Sequence, residues 1–207
     1  GEYALEPGMT PRDLLARMRD GKVMSYRFTI VEGWNIRDLR AALAKATPLK
    51  QQTAQLDDAA LMRALERGGQ HPEGRFLPET YQYTRDDSDL DVLKRAADAM
   101  DKALVEAWAS RDPQLPLNSA YELLTLASIV EKETGVTDER PQIAGVFVRR
   151  LKMPMRLETD PTVIYGMGSA YSGNIRKTDL RTDTPYNTYT RDGLPPTPIS
   201  MPGRAAL

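Results

Sequence analysis

The stretch Leu123-Leu124-Thr125-Leu126-Ala127-Ser128-Ile129-Val130-Glu131-Lys132-Glu133-Thr134 predicts a buried helix that ends in acidic residues. Its apolar residues recur at the spacing of a helix face packed on a core, namely at Leu123, Leu126, Ala127 and Val130. Ser119 supplies an N-cap, and Glu122 follows it at the capping-box spacing. Gly135 is suited to the C-cap, so the helix is expected to lie between Ser119 and Gly135.

Two carboxylates, Glu131 and Glu133, fall in the last turn of this helix. At about 100° per residue they point about 200° apart, so they cannot serve one site. Both flank the apolar face, and helix geometry places Glu133 only slightly closer to it than Glu131. Lys132 should point into solvent. A glutamate partly buried against Leu126, Ile129 or Val130 would have a raised pKa, which suits a general acid. A fully solvated last turn is the alternative, and the helix pattern leaves both open.

Composition excludes several classes of function. The net charge of −1 gives no electrostatic basis for binding nucleic acid or an anionic membrane. The chain has no cysteine, which excludes disulfides, a thiol nucleophile and a zinc–thiolate site. Its single histidine, His71, argues against a Ser-His-Asp triad or a histidine metal cage. The sequence therefore indicates no metal and no cofactor.

The chain lacks the marks of a membrane or exported segment. No run approaches about 18 apolar residues, and no signal peptide is present. The sequence starts at Gly1 and stops at Leu207 without terminal features. We expect it to be an excised piece of a longer protein.

Local patterns predict an α+β fold. Residues 1–31 read as strand, helix, strand: an extended segment at residues 3–5, a helix opened by Thr10 and Pro11, and an alternating strand around Phe28. Further helices are predicted over about residues 36–46, 57–67, 88–110 and 138–151. Residues 155–159 alternate as a strand that continues into residues 160–166.

The last forty residues are turns and short extended pieces rich in Tyr, Asn, Thr and Pro. Tyrosine rings can cover the apolar faces of sugars, and asparagine, aspartate and threonine can bind their hydroxyls, so these loops suit a carbohydrate. A loop-rich edge held by tyrosine hydrogen bonds is the alternative. Composition alone does not decide between the two.

Four segments occur in family order and together resemble the endolytic murein transglycosylases, also called the MltG or YceG-like family. They are residues 126–134 (LASIVEKET), 156–168 (RLETDPTVIYGMG), 186–189 (YNTY) and 193–196 (GLPP). Residues 32–33 and 76–81 (FLPETY) extend the similarity upstream, so that it covers nearly the whole chain. Each segment alone is weak, but their shared order is specific.

The resemblance implies a mixed α/β catalytic domain over residues 32–207, which should be truncated at its C-terminal end, and a partial LysM-like β-α-β module over residues 1–31. It implies a bacterial inner-membrane enzyme with one transmembrane helix, absent from this chain, and a catalytic domain in the periplasm. The substrate would be nascent peptidoglycan glycan, and peptidoglycan synthases would be partners. The family's catalytic glutamate falls on Glu133.

Lytic transglycosylases need one acid, because the C6 hydroxyl of muramic acid replaces water as the nucleophile. Glu133 would protonate the glycosidic oxygen between MurNAc and GlcNAc, and the product would end in 1,6-anhydroMurNAc. The residues expected to hold the sugar are Asp160, Thr162, Tyr186, Asn187 and Tyr189. Asp160 precedes a proline and could equally be a turn residue.

Two alternatives stay open at this point. A hydrolytic muramidase would need a second carboxylate, with Glu79 or Asp160 as the candidates. A non-catalytic glycan-binding or scaffold protein of the wall-synthesis machinery would keep the aromatic loops but would not need an acid at Glu133.

Overall fold

A computed structural model describes residues 1–207 as eight α-helices and one two-stranded sheet. In chain order the elements are α1 (Pro11–Arg19), β1 (Tyr26–Thr29), α2 (Ile36–Leu43), α3 (Asp58–Ala64), β2 (Thr80–Tyr83), α4 (Asp89–Ser110), α5 (Ala120–Glu133), α6 (Arg140–Lys152), α7 (Asp160–Met167) and α8 (Lys177–Arg181). Short 3₁₀ turns lie between α5 and α6, at Thr137–Glu139, and directly after α7, at Gly168–Ala170. The predicted α+β class is confirmed, with helices predominating.

The sheet connects the N-terminal part of the chain to the rest. β1 pairs antiparallel with β2, and Phe28 lies opposite Tyr81. Phe28 and Ile30 are buried in the same apolar core as helices α2 and α3 and the first half of α4. The predicted boundary at residue 31 therefore follows directly after a strand that shares its core with residues 32–207.

Helix α4 joins two apolar cores because its stripe is long enough to serve both. Val92 and Leu93, near its start, pack with α2, α3 and the sheet. Met100 and Leu104, further along, pack with α5, α6 and Leu157. Ser88 caps the helix, and its hydroxyl accepts a hydrogen bond from the Asp91 amide. This helix therefore fixes α5 relative to the N-terminal half.

The C-terminal segment runs along α5 and holds it from outside. Ser128, fully buried in the middle of α5, donates within its helix and accepts from the Ile199 amide at 3.0 Å. The Ser200 hydroxyl donates to the Ser128 carbonyl at 3.0 Å. These bonds satisfy polar groups that would otherwise be buried without partners. Residues 199–203 thus form a strap, which reaches the acidic end of α5 at Gly203.

The helix predictions for α1 to α6 are confirmed, and two strand predictions are wrong. Residues 3–5 and 155–159 have no strand partner, and residues 160–166 begin helix α7 instead of continuing a strand. Asp160 and Pro161 occupy the first turn of α7, where proline is tolerated because the amide it lacks would have no partner. None of the helices combines the length and apolar content that a membrane crossing requires.

Candidate functional site

The two glutamates at the end of α5 have different surroundings. The side chain of Glu131 is 4% exposed and pairs with Arg140, which is 7% exposed, at 2.9 Å. Its other oxygen accepts from the Gly203 amide at 2.9 Å. Both oxygens of Glu131 are therefore used inside the protein, where they join α5, α6 and the strap.

Glu133 is exposed, and one of its oxygens is held by a neighbouring element. The hydroxyl of Thr159, the residue before α7, donates a hydrogen bond to Oε1 of Glu133. Thr159 itself is buried, so its hydroxyl is fixed in position. Oε2 of Glu133 forms no hydrogen bond with the protein and can give or accept a proton from a ligand.

Of the two surroundings that the helix pattern left open, partial burial against Leu126, Ile129 or Val130 is wrong for Glu133, because its side chain is exposed and bonds to Thr159 beside α7. Lys132 is exposed as predicted, although its Nζ also donates to the Gly33 carbonyl at 3.2 Å.

Buried threonines join the second and third family segments beneath Glu133. The Thr188 hydroxyl accepts from the Thr159 amide at 3.1 Å, and it lies 2.8 Å from the Thr162 hydroxyl. The Glu158 amide donates to the Thr188 carbonyl at 3.1 Å. Residues 126–134, 156–168 and 186–189 therefore meet at one place. The fourth segment, at residues 193–196, lies instead beside the start of α5.

Tyr189 and Asp160 stand at the surface of this junction. The Tyr189 hydroxyl donates to Asp160 Oδ1 at 2.7 Å. Partial burial, this hydrogen bond and the negative charges of Asp160, Glu158 and Glu133 raise the pKa of Tyr189 to about 12. The hydroxyl therefore stays protonated and remains a donor. Asp160 is exposed and Tyr189 half-buried, so both present surface to a ligand.

Thr162 and Asn187 have no surface to offer a sugar, so their expected contact with it needs revision. Thr162 is fully buried, and Asn187 is 1% exposed. The Asn187 amide group donates to the carbonyls of residues 179, 180 and 182, and its oxygen accepts from the Tyr189 amide at 2.8 Å. Both residues shape the loop that carries Tyr189.

Tyr186 is half-buried, and its hydroxyl lies 2.9 Å from that of Thr197. Its ring packs edge-on against Tyr165 with the centroids 4.8 Å apart. Only part of the ring is left to face a ligand.

A cavity of about 460 Å³ continues from Tyr189 towards α8, and we call it the α8 cavity. Its walls include Arg156, Lys177, Arg181 and Tyr189. Arg156 is fixed by Asp192 at 3.2 Å and by the Tyr189 carbonyl at 2.9 Å. The α8 cavity therefore extends the polar surface that Tyr189 and Asp160 form.

Sequence patterns missed a second carboxyl, Glu73. It is fully buried, accepts from the Ile36 amide at the start of α2 and accepts from the Tyr165 hydroxyl at 2.9 Å. Burial outweighs these hydrogen bonds and raises the pKa of Glu73 to about 7. Its turn-rich surroundings gave no sign of burial. Thr159 was also missed, although it lies inside a family segment.

Together these features define an α+β protein with an exposed, hydrogen-bonded acid beside an extended polar surface. A family model described as the YceG-like family matches residues 1–207. The chain therefore belongs to the YceG-like family, which confirms the resemblance found in the sequence.

Known proteins similar to this chain carry consistent names. The endolytic murein transglycosylase of Bacillus subtilis (strain 168) is 32% identical over 223 residues, which cover 100% of this chain and 61% of the relative. That of Streptococcus pneumoniae serotype 2 (strain D39 / NCTC 7466) is 29% identical over 242 residues, covering 100% of this chain and 43% of the relative. The chain thus spans about half the length of these relatives.

A solved structure has a similar fold. The crystal structure of a putative yceG-like protein from Listeria monocytogenes matches with a TM-score of 0.73 and 31% identity. The match covers 99% of this chain and 72% of that one.

Proposed function

We propose that this chain is the catalytic part of an endolytic lytic transglycosylase that cleaves peptidoglycan glycan strands between MurNAc and GlcNAc. The observation that carries the proposal is the position of Glu133, an exposed acid fixed by Thr159 where three family segments meet. The names of the similar proteins agree with this activity.

Glu133 would act first as an acid and then as a base. Its proton passes from Oε2 to the glycosidic oxygen as the bond to the anomeric carbon breaks, and the C6 hydroxyl of the same muramic residue attacks that carbon. The resulting carboxylate then takes the proton of the C6 hydroxyl, which leaves a 1,6-anhydro ring. Glu133 ends the cycle protonated, and no water is consumed.

Thr159 would orient the acid, because its hydroxyl donates to Oε1 and leaves Oε2 for the substrate. Tyr189 and Asp160 offer a half-buried ring and an exposed carboxylate to the sugar. Thr162 and Asn187 support them from below, and the exposed part of Tyr186 borders the same loop. An exposed acid on an extended surface suits cleavage within a strand.

A two-carboxylate muramidase is the second candidate, because Asp160 belongs to the same hydrogen-bonded junction as Glu133. The other expected partner, Glu79, is less suited, since it pairs with Arg204 at 3.4 Å and forms no hydrogen bond to the junction. In a muramidase Asp160 would activate water or form the glycosyl intermediate. A scaffold protein would bind the strand at the same surface without cutting it.

We propose the remaining assignments from the resemblance to the family. Residues 1–31 would be the latter part of a LysM-like module, which α1 supports, while the pairing of β1 with β2 attaches it to the catalytic domain. The longer protein would be held in the inner membrane by an N-terminal helix, with this domain in the periplasm. Peptidoglycan synthases would supply its nascent substrate.

The test is digestion of purified glycan strands in heavy-oxygen water, followed by mass spectrometry of the new ends. The proposal predicts unlabelled 1,6-anhydro ends, each one water lighter than a hydrolysed end, and mid-length fragments before disaccharides. A longer version of the protein that includes the preceding residues serves as a positive control. Labelled reducing ends would identify a muramidase, and binding without cleavage by both versions would identify a scaffold.

A further inference from the structure

A cavity of about 180 Å³ lies between the start of α2 and α7, and the proposed reaction makes no use of it. Its walls include Arg37, Lys132, Pro161, Ile164, Tyr165 and Tyr171, and we call it the Arg37–Lys132 cavity. Its walls belong to the same two elements as the candidate site, because Lys132 directly precedes Glu133 on α5 and Pro161 directly follows Asp160 on α7. A long glycan strand bound at Glu133 could therefore reach it with a side branch.

Two cations face this cavity, and neither forms an ion pair. The Arg37 guanidinium lies against the end of α7, where a Cβ added at Gly168 would be 3.1 Å from Nη1. A helix C-terminus favours a positive charge at this place. Lys132 is held from the other side by the Gly33 carbonyl at 3.2 Å. The cavity thus brings together two positive charges without a carboxylate among its lining residues.

The size and walls of the cavity limit what can enter. Its volume is below the roughly 300–1,000 Å³ of sites that enclose a whole small molecule, so it suits a side branch of a larger ligand. Glu73 lies near enough for the Arg37 charge to act on its pKa, but its carboxyl is not part of the cavity wall and is held by the Tyr165 hydroxyl and the Ile36 amide. A guanidinium and an ammonium group beside aromatic walls favour a carboxylate as the branch.

We infer that the Arg37–Lys132 cavity binds a carboxylate that the glycan strand carries as a branch. The inference rests on the proposed function, since it requires a glycan at Glu133. Muramic acid offers this chemistry in two forms: a stem peptide with its own carboxylates, or a free lactyl carboxylate when the peptide has been removed. Arg37 and Lys132 would select strands that carry one of these groups and would set their register over Glu133.

Binding is measured in the Glu133→Gln background, so that the result does not depend on cleavage. The ligands are peptide-bearing glycan strands, strands stripped of peptides, and chito-oligosaccharides, which have no carboxylate. Arg37→Gln is added to this background, with two comparison variants. Arg63→Gln removes an exposed charge on α3 that lies outside both cavities, and Arg181→Gln removes one from the α8 cavity.

Arg37→Gln should weaken binding of one carboxylate-bearing ligand by roughly tenfold, the loss expected for one charge-assisted contact. Binding of chito-oligosaccharides should not change, and Arg63→Gln should change nothing. Sensitivity of peptide-bearing strands alone would identify the stem peptide, and sensitivity of stripped strands alone the lactyl group. Equal losses on all three ligands, no loss on any, or a selective loss only in Arg181→Gln would overturn the inference. A wild-type protein that cleaves no strand would refute the proposed activity but leave this binding result intact.

Discussion

The last turn of α5 carries a glutamate on each of two sides, and the two glutamates differ in burial and in their hydrogen-bond partners. On one side Glu131 is buried, and Arg140 and the Gly203 amide use both of its oxygens. On the other side Glu133 is exposed, and Thr159 holds a single oxygen. A carboxylate with two internal partners is a structural clamp, whereas one with a free oxygen can exchange a proton.

This difference shows that burial and the presence of an oxygen without a partner together separate the two glutamates. Glu131 connects α5, α6 and the strap, so its loss should lower the free energy of unfolding. Glu133 bonds to one hydroxyl at the surface, so its loss should lower the rate of glycan cleavage.

Glu131→Gln should lower the free energy of unfolding by about 3–5 kcal/mol, because it leaves the buried Arg140 charge without its close partner. Urea denaturation followed by circular dichroism measures the change. The matched control is Glu32→Gln, since Glu32 approaches the same guanidinium at 3.5 Å but is 49% exposed. That variant should lose less than about 1 kcal/mol. Similar losses from both changes would mean that Glu131 is not the clamp.

Glu73 extends the comparison, because it is a buried carboxyl whose pKa is raised by burial more than it is lowered by the nearby charge of Arg37. Its folded-state pKa of about 7 lies above the ordinary value of 4.5, so the folded state binds more protons than the unfolded state between these values. Stability should therefore fall as pH rises from about 4.5 to about 7, by roughly 3 kcal/mol from this group. Glu73→Gln cannot ionise and should remove that part of the pH dependence.

The measurement is the free energy of unfolding at pH 5 and pH 8 for the wild type and Glu73→Gln. Taking the difference between the two proteins cancels the contribution of groups that titrate equally in both. Parallel pH profiles would contradict the assignment of a raised pKa to Glu73.

Thr159→Val should reduce glycan cleavage by roughly tenfold, because it removes the hydroxyl that orients Glu133 while keeping the shape of the side chain. Stability should change little, since Glu133 is exposed and water can replace the lost bond. Thr159→Ser retains the hydroxyl and should restore most of the rate in the same assay. A serine variant as slow as the valine variant would show that the methyl group, and not the hydrogen bond, matters.

The sequence could predict helix α5, but not which of its two terminal glutamates is buried and paired and which is exposed. Ser119, Glu122 and the apolar spacing act within the helix, so a local pattern was sufficient to place it. The partners that separate Glu131 from Glu133 come from outside α5, at separations of 9, 26 and 72 residues. Arg140, Gly203 and Thr159 reach α5 only through the fold, and helix geometry alone left the two glutamates nearly equal.

Tertiary contacts also explain the incorrect prediction at α7. Thr162, Val163 and Ile164 are β-branched and favour a strand locally. In the fold, the Thr162 hydroxyl donates to the Thr159 carbonyl at 2.7 Å and meets Thr188 beneath the site. Packing against α5 and the Thr188 loop thus stabilises a helix over the local preference. The same contacts turn Thr162 from an expected sugar ligand into a buried support.

The central claim is that Glu133 is the acid and Glu131 the clamp, and one paired measurement tests it most directly. Cleavage of purified glycan strands is measured for Glu133→Gln and Glu131→Gln, and each rate is divided by the folded fraction at the assay temperature. We predict that Glu133→Gln loses about 10²–10⁴-fold in rate, the contribution of a general acid, with stability close to wild type. Glu131→Gln should keep most of its rate per folded molecule. Equal losses per folded molecule, or a Glu133→Gln protein that still cleaves at the wild-type rate, would contradict the account.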